Sequence, residues 1–363
     1  MSNHPDNLDI YDSVGPPAGF HASVHEHDDA ATLVPISGMQ DISTFGIAGR
    51  IWDSSYTLDV FLRRPTDQHI FTPECPIPAD YFLPTKTTTS TESVSSSTST
   101  TTITTTTTTA TPAQEKRKPI RILEIGAGTG YVGIALAKRM TSDCTVILTD
   151  LEEVVPLMQK NVNEHYLSRR RPVESDGAIT IEAGAAAAVG AAAAVGSEAC
   201  AHVQVEPLAW GNSSHANAIL HPTPIDYVVA SDLVYFPELY PPLLQTLKEI
   251  TRVGETKVIF GYKERALWKE SPFWEEFGRF FEIEVVRIER CRTAKKEGVP
   301  KEDGEESKED DEEEEEDEDR MEVFGCEGDD RMYVFVATKR RDEDILKGAD
   351  DTLTTLMMMQ MSF

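Results

Sequence analysis

One short segment limits the fold of this chain more than any other, the run RILEIGAGTGYVGIALAKRM at residues 121–140. Its first half is hydrophobic, as in a buried strand, and its second half has apolar residues spaced as on one face of a helix. Alternate glycines separate the two halves, and glycine tolerates positive φ and close approach of another group to the backbone. The segment therefore predicts a strand, a bend and a helix. The bend either holds a ligand or is a purely structural turn.

The spacing of the glycines separates two kinds of ligand. A dinucleotide fingerprint reads G-x-G-x-x-G, and Tyr131 stands where its third glycine belongs. The pattern E-x-G-x-G-x-G is met in full by Glu124, Gly126, Gly128 and Gly130. It is typical of the first motif of S-adenosylmethionine-dependent methyltransferases, whose ligand carries an ammonium and a carboxylate instead of phosphates. An acid at the end of the strand suits that cationic group.

Asp150 is a second candidate for binding the same ligand. It ends the next predicted strand, 22 residues after Gly128. A carboxylate at this place can accept hydrogen bonds from ribose hydroxyls. The alternative is a cap for the helix that follows. Asp150 would serve a nicotinamide dinucleotide or S-adenosylmethionine equally well, so only the spelling of the glycine motif distinguishes them.

The order of strands and helices predicts the fold class. From residue 118 onward hydrophobic strands alternate with helical segments, which indicates a parallel sheet with helices on both faces. The last two strands, at residues 281–291 and 331–340, have no helix between them and are expected to form an antiparallel hairpin. The prediction is an α/β, Rossmann-like, seven-stranded methyltransferase fold, mostly parallel with a final antiparallel hairpin.

The N-terminal part of this domain is expected to pair a short strand-like start with a helix. Residues 47–64 begin with an extended pattern, and Asp53, Ser54 and Ser55 are candidate caps for a helix that follows Trp52. Leu58 and the apolar residues after it recur at helical spacing.

Composition divides the chain into a folded domain and segments with little to bury. We expect a variable lead-in over residues 1–44, a catalytic domain over 45–340 and a tail over 341–363 that either docks or is disordered. Low-complexity tracts of threonine and serine, of alanine and glycine, and of acids are predicted insertions, with a short alanine helix as the alternative for the second. They span residues 85–112, 183–196 and 302–319.

Charge and cysteine usage exclude several classes of function. The net charge is −28, and half of it lies in residues 302–319, which hold fifteen acids and one lysine. Such a chain is not expected to bind nucleic acid, which requires cations. The acidic tract is interpreted as a solvated loop, with electrostatic steering of a basic protein as the alternative. Five cysteines without a CxxC pair give neither a zinc site nor a disulfide framework, so no metal is expected.

No basic and apolar leader is evident at the start of the sequence, and no run of about 20 apolar residues predicts a membrane span. We therefore expect a cytoplasmic protein, with a nuclear pool as the alternative, and no membrane partner.

Further motifs match one family in the family's own order. They are RIWDSS at residues 50–55, PLAWG at 207–211, VVASDLVYFPE at 228–238 and FGYKER at 260–265. Together with the glycine bend and LTDLEEVVPLMQKNV, they resemble the family 16 seven-β-strand methyltransferases. Members of this family are chiefly protein-lysine N-methyltransferases, including enzymes that modify chaperones and elongation factor 1-alpha. The resemblance covers residues 45–72, 118–166, 203–290 and 331–340.

The resemblance implies a set of cofactor-binding residues. Trp52 matches a tryptophan that reaches the cofactor, and Trp210 matches one that lies beside the adenine. Asp150 matches the acid that binds the ribose, and Ala230 matches a small residue that lines the cofactor. The segment around the methionine portion, with the acid before it, completes the set: Glu124, Gly126, Ala127 and Gly128.

Asp232 and Tyr235 match the family's D-x-x-Y motif, which lies where the target nitrogen meets the methyl group. Our hypothesis is that Asp232 holds the incoming amine by a hydrogen bond, while Tyr235 shapes the slot. The alternatives are a helix cap for Asp232 and a core aromatic for Tyr235.

The resemblance implies methyl transfer from S-adenosyl-L-methionine to a lysine amine of a protein. The substrate is expected to be a protein of the chaperone or translation-factor kind, and the enzyme is expected to be a monomer. Two other functions stay open. One is N-methylation of a small acceptor such as nicotinamide, and the other is a non-catalytic interaction protein that uses its acidic tract.

Overall fold

The computed structural model describes residues 38–63, 69–84, 117–168, 200–290, 322–327 and 330–360. The three predicted insertions, residues 85–112, 183–196 and 302–319, lie outside these ranges. The helices are α1 (Ile42–Phe45), α2 (Asp53–Phe61), α3 (Tyr131–Arg139), α4 (Val155–Val162), α5 (Ser213–Leu220), α6 (Tyr240–Ile250), α7 (Leu267–Phe280) and α8 (Thr352–Gln360). The strands are β1 (His69–Thr72), β2 (Ile120–Ile125), β3 (Cys144–Asp150), β4 (His202–Pro207), β5 (Tyr227–Ser231), β6 (Lys257–Lys263), β7 (Phe281–Val285), β8 (Arg287–Arg290), β9 (Glu322–Val323), β10 (Cys326–Glu327) and β11 (Asp330–Lys339).

A mixed sheet with the order β4-β3-β2-β5-β6-β11 forms the centre of the domain, and β7 and β10 also pair with β11. The strands from β4 to β6 are parallel, whereas β11 runs antiparallel to β6 and to β7. The order reverses between β2 and β5, because the chain goes outward through β3 and β4 and then returns to the other side of β2. Ligands of open α/β sheets bind at such a switch point, beyond the carboxyl ends of the strands. The predicted fold class is confirmed.

The predicted final hairpin is present between β7 and β11, where Phe281 faces Lys339 and Val285 faces Phe335. The strand expected over residues 281–291 is nevertheless divided. After Val286, β8 leaves the central sheet and pairs with β1 and β9 in a separate three-stranded sheet. Val285 and Val286 are consecutive apolar residues that interrupt the alternation of the strand. Because side chains alternate with period two, such an interruption moves the apolar set to the other face and redirects the strand.

The N-terminal segment differs from the expectation. Residues Gly46–Gly49 form a 3-10 turn, not a strand-like start. The three candidate caps, Asp53, Ser54 and Ser55, lie inside α2 instead of capping it. The two serine hydroxyls contact the Ser231 hydroxyl at 3.1 and 3.0 Å. All residues of α2 after Asp53 are buried, because the helix packs against β6, β11 and α3.

Both described ends of the chain pack against the domain. Met39 is fully buried and its carbonyl accepts a hydrogen bond from Asn161 Nδ2 at 2.9 Å, so packing begins before residue 44. In the tail, α8 lies against α7 and buries Leu353 and Met357. Of the two alternatives for the tail, the described residues therefore dock.

Candidate functional site

A cavity of about 340 Å³ opens at the carboxyl ends of β2, β3 and β5, next to the switch point. Its wall combines the N-terminal segment, the glycine bend and the loops that follow the strands. Nine of the ten residues predicted from the sequence lie in this wall: Trp52, Glu124, Gly126, Ala127, Gly128, Asp150, Trp210, Asp232 and Tyr235. Five separate segments of the chain thus meet at one place.

Ala230 is the exception, because the structure does not bring it to the cavity. Its side chain is fully buried in the core, and its backbone pairs with Ile125 and Phe260 on the neighbouring strands. Successive side chains of a strand point to opposite faces. The next residue, Ser231, lies in the cavity wall in its place.

The glycine bend brings the N-terminal segment close to the loop after β2. Gly126 and Gly128 have φ values of +60° and +54°, which residues with a side chain rarely adopt. A Cβ atom on Gly128 would lie 2.7 Å from the carbonyl oxygen of Ala48. One on Gly126 would lie 2.6 Å from Leu233 Cδ2. Because these glycines have no side chains, the N-terminal segment and the loop after β5 can pack closely on the bend and enclose the cavity with it.

Asp150 ties the end of β3 to the glycine bend. Its Oδ2 accepts from the Gly128 amide at 2.8 Å, and its Oδ1 accepts from the Leu151 amide at 2.7 Å. Burial raises the pKa of the Asp150 carboxyl, and the two amide donors oppose that effect. Each carboxylate oxygen has a second lone pair, so Asp150 can still accept from a ligand hydroxyl.

Glu124 lies deeper in the same wall and is only 2% exposed. Its Oε2 accepts from the Gly133 amide at 2.8 Å, in the first turn of α3. Burial raises the pKa of Glu124 to about 8, a shift that the Gly133 hydrogen bond reduces and the nearby Asp150 increases. A cationic ligand group beside Glu124 would favour its ionised form.

Asp232 is held by an arginine that the sequence interpretation did not select. Asp232 has a φ of 59°, and its Oδ1 accepts from Arg265 Nη1 at 2.7 Å while its Oδ2 accepts from Arg265 Nη2. Burial by itself would lower the pKa of Arg265, but the Asp232 carboxylate raises it well above the ordinary value. Arg265 ends the FGYKER motif, and a buried acid requires a cationic partner, but no local pattern in the sequence links Arg265 to Asp232.

Two aromatic side chains and one phenol complete the wall. Trp52 Nε1 donates to the Ile47 carbonyl at 3.1 Å, which orients the indole. Trp210 Cζ2 lies 3.1 Å from the position that a Cβ atom on Gly126 would occupy. Burial raises the pKa of Tyr235, so its hydroxyl stays protonated and can donate a hydrogen bond.

A pair of serine hydroxyls in the wall was also missed. Ser55 and Ser231 both line the cavity, and their oxygens are 3.0 Å apart. A pair of serines has no characteristic spacing in a sequence. Ser55 and Ser231 come together only because α2 packs against the end of β5.

Among the described ranges there is no group of three or more histidine, cysteine or acidic side chains that could hold a metal ion. The cysteines at positions 75, 144 and 326 are free thiols. No described helix has the length and apolar composition to cross a membrane.

Comparison with known proteins identifies the family. The profile of the family described as lysine methyltransferase matches residues 34–175 and 187–280. The chain belongs to the lysine methyltransferase family. The resemblance drawn from the motifs is thereby confirmed at the level of the family.

Curated relatives from three organisms match about half of the chain. The protein N-lysine methyltransferase METTL21A of Danio rerio is 28% identical over 173 residues, which are 47% of this chain and 62% of that protein. The EEF1A lysine methyltransferase 3 of Xenopus tropicalis is 26% identical over 46% of this chain and 58% of its own length. The protein-lysine N-methyltransferase EFM6 of Saccharomyces cerevisiae is 26% identical over 45% of this chain and 57% of its own length. The chain thus spans less than two thirds of the length of these relatives.

Proposed function

We propose that this protein transfers a methyl group from S-adenosyl-L-methionine to the side-chain amine of a lysine in a protein substrate. The observation that carries the proposal is the convergence of nine motif residues, from five segments, in one cavity at the switch point of the sheet. Membership of the lysine methyltransferase family supports the reaction class. The names of the relatives, one of which is an EEF1A lysine methyltransferase, support a protein acceptor, and a translation factor or a chaperone is the class of protein we propose.

The residues of the cavity fit this cofactor chemically. Glu124 can bind a cationic ammonium, Asp150 can accept from ribose hydroxyls, and the face of Trp210 can pack on a purine. The volume of about 340 Å³ lies in the range of small-molecule sites. The glycine bend has Tyr131 where a dinucleotide fingerprint has its third glycine, which favours S-adenosylmethionine over a dinucleotide.

When bound, the sulfonium of this cofactor supplies a methyl group that is already activated for in-line displacement. The contribution of the protein is then alignment, proximity and exclusion of water. A free lysine amine has a pKa of about 10.4, so it must lose its proton before it attacks. An amine that enters the cavity loses its water, because its surroundings there include Trp52, Tyr235 and Leu233. This loss of water favours the neutral form of the amine.

The D-x-x-Y residues border this acceptor region. Tyr235 is protonated and is not a base, but its hydroxyl oxygen can accept a hydrogen bond from an amine N–H and so orient the nitrogen with its lone pair free. The hypothesis that Asp232 holds the amine directly stays a prediction. In that case the amine would have to bind the Asp232 carboxylate, whose side chain is 1% exposed and already paired with Arg265.

The proposal is tested by transfer of tritiated methyl groups from S-adenosylmethionine to whole-cell protein extract from which small metabolites have been removed. We expect labelled protein with the wild type and none with Asp232→Ala, while calorimetry shows similar cofactor affinity for both. The control is Asp342→Ala, which removes an exposed carboxylate outside the cavity. Measurable cofactor binding with no labelled protein would contradict the proposal and favour a small-molecule acceptor or a non-catalytic role.

A further inference from the structure

The ion pair of Asp232 and Arg265 has the geometry of a fixed structural clamp. Both oxygens of the carboxylate accept from the two terminal nitrogens of one guanidinium, the bidentate arrangement that is strongest and most directional for this pair. The side chains are 1% and 10% exposed. Water therefore competes little with the pair, and an incoming amine reaches the carboxylate only if Arg265 moves away.

Further contacts hold Arg265 in place. Its Nη1 also donates to the Lys263 carbonyl at 3.1 Å, and its backbone amide donates to Glu270 Oε2 at 3.3 Å. Glu270 is itself buried, and its Oε2 accepts from the Tyr262 hydroxyl at 2.5 Å. The guanidinium is consequently anchored to the end of β6, and the backbone of Arg265 is anchored to the first turn of α7.

Arg265 also contacts the N-terminal segment. Its guanidinium carbon lies 5.4 Å from the centre of the Trp52 ring, and that of Arg50 lies 4.7 Å from the same centre. These distances are within the range of cation–π attraction. One side chain thus joins Trp52, which precedes α2, to Asp232, which follows β5.

We propose that Arg265 is a positioning residue of the acceptor region, which acts through Asp232 and Trp52. The proposal rests on the proposed function. Arg265 neutralises the Asp232 charge, so this carboxylate is not free to trap a lysine ammonium. It also keeps Asp232 and Trp52 in one arrangement beside the methyl-transfer point. Asp232 then works as one half of a clamp, and the neutral amine is aligned by the surface that the clamp fixes.

A double-mutant cycle tests whether Asp232 and Arg265 act as one unit or independently. The variants are Asp232→Asn, Arg265→Gln and their combination, assayed by initial rates of methyl transfer to protein extract at saturating S-adenosylmethionine. Each single change should lower the rate about 10²-fold, as expected for misplacement of a reacting group. The double variant should be no slower than the slower single variant, because both changes remove the same interaction.

Two comparisons separate positioning from general damage. The KM for S-adenosylmethionine should stay near the wild-type value, since the glycine bend and Asp150 are untouched, whereas a collapsed cavity would raise it. Arg265→Lys keeps the charge but loses the two-donor fork, so it should recover only part of the rate. The matched control is Arg252→Gln, which removes an arginine from the half-exposed ion pairs with Asp226 and Glu255 and should leave the rate unchanged.

Additive losses, with the double variant about 10⁴-fold slower, would overturn the proposal and return Asp232 to a direct role. A second readout does not depend on turnover. In thermal unfolding without cofactor, the two single variants should each lower the midpoint, and the double variant should add no further loss. Additive midpoints would overturn the clamp even if the wild type transfers no label, a separate result that would defeat the proposed function itself.

Discussion

The close approach of the N-terminal segment to the glycine bend can be tested with a single methyl group. Gly128→Ala places a Cβ atom 2.7 Å from the Ala48 carbonyl oxygen, a backbone atom that cannot rotate away. Gly254 offers a matched control, because its φ of +68° is similarly left-handed and nothing lies within 4 Å of a Cβ built there. The two substitutions share the backbone strain and differ only in the contact.

The magnitudes follow from these two terms. The left-handed conformation costs a residue with a side chain about 1–2 kcal/mol, and Gly254→Ala should lose only this amount. Gly128→Ala should lose a further 1–3 kcal/mol or so from overpacking. For a domain of this size the extra loss lowers the unfolding midpoint by roughly 2–12 °C relative to the Gly254 variant.

The same displacement should affect ligand binding. Ala48 and Trp52 both line the cavity, so moving their segment outward should weaken binding of S-adenosylmethionine in Gly128→Ala. Gly254→Ala should bind normally. Differential scanning fluorimetry and calorimetry measure the two effects. Equal midpoints and equal affinities for the two variants would refute the close packing of the N-terminal segment on the bend.

Other expectations concern the acids of the cavity and the C-terminal helix. Asp150→Ala should weaken cofactor binding by removing an acceptor and loosening the Gly128 amide, and an unchanged calorimetric affinity would count against this role. Burial raises the pKa of Glu124 from 4.5 to about 8, so the folded protein retains a proton that the unfolded chain releases. The free energy of unfolding should therefore fall as the pH rises from 4.5 to about 8. Denaturant titrations at several pH values should show that this fall is smaller in Glu124→Gln. Met357→Ala should cost about 2–5 kcal/mol in the same titrations if α8 docks as observed, and a loss near zero would mean that it does not.

The fold was predictable from the sequence because the parallel part of the sheet depends on simple periodicity. Buried strands such as β2, β3 and β5 are rich in apolar residues; β3 and β5 end at the polar residues Asp150 and Ser231, and β2 is followed directly by Gly126. The consecutive residues Val285 and Val286 mark the division of the last predicted strand, but the sheet that its second half joins was not predictable in the same way. It depends on pairing with β1, which comes from a distant part of the chain.

The site shows the same division between local and long-range information. Residues at the end of a strand or directly after one, such as Asp150 and Asp232, were expected at one place because carboxyl ends of parallel strands share one edge, and both line the cavity. Ala230 was misplaced by a single position, since a strand sends neighbouring side chains to opposite faces. Arg265 was missed because its role depends on a bidentate contact between two strand ends 33 residues apart, which no local pattern shows.

The central proposal is tested most directly by locating the transferred methyl group. Extract protein treated with S-adenosylmethionine that carries a deuterated methyl group can be digested and analysed by tandem mass spectrometry. The expected result is deuterated methyl on the Nζ of a lysine in one or a few proteins, absent with Asp232→Ala. Label on another residue type, or only in the metabolite fraction, would contradict a protein-lysine methyltransferase.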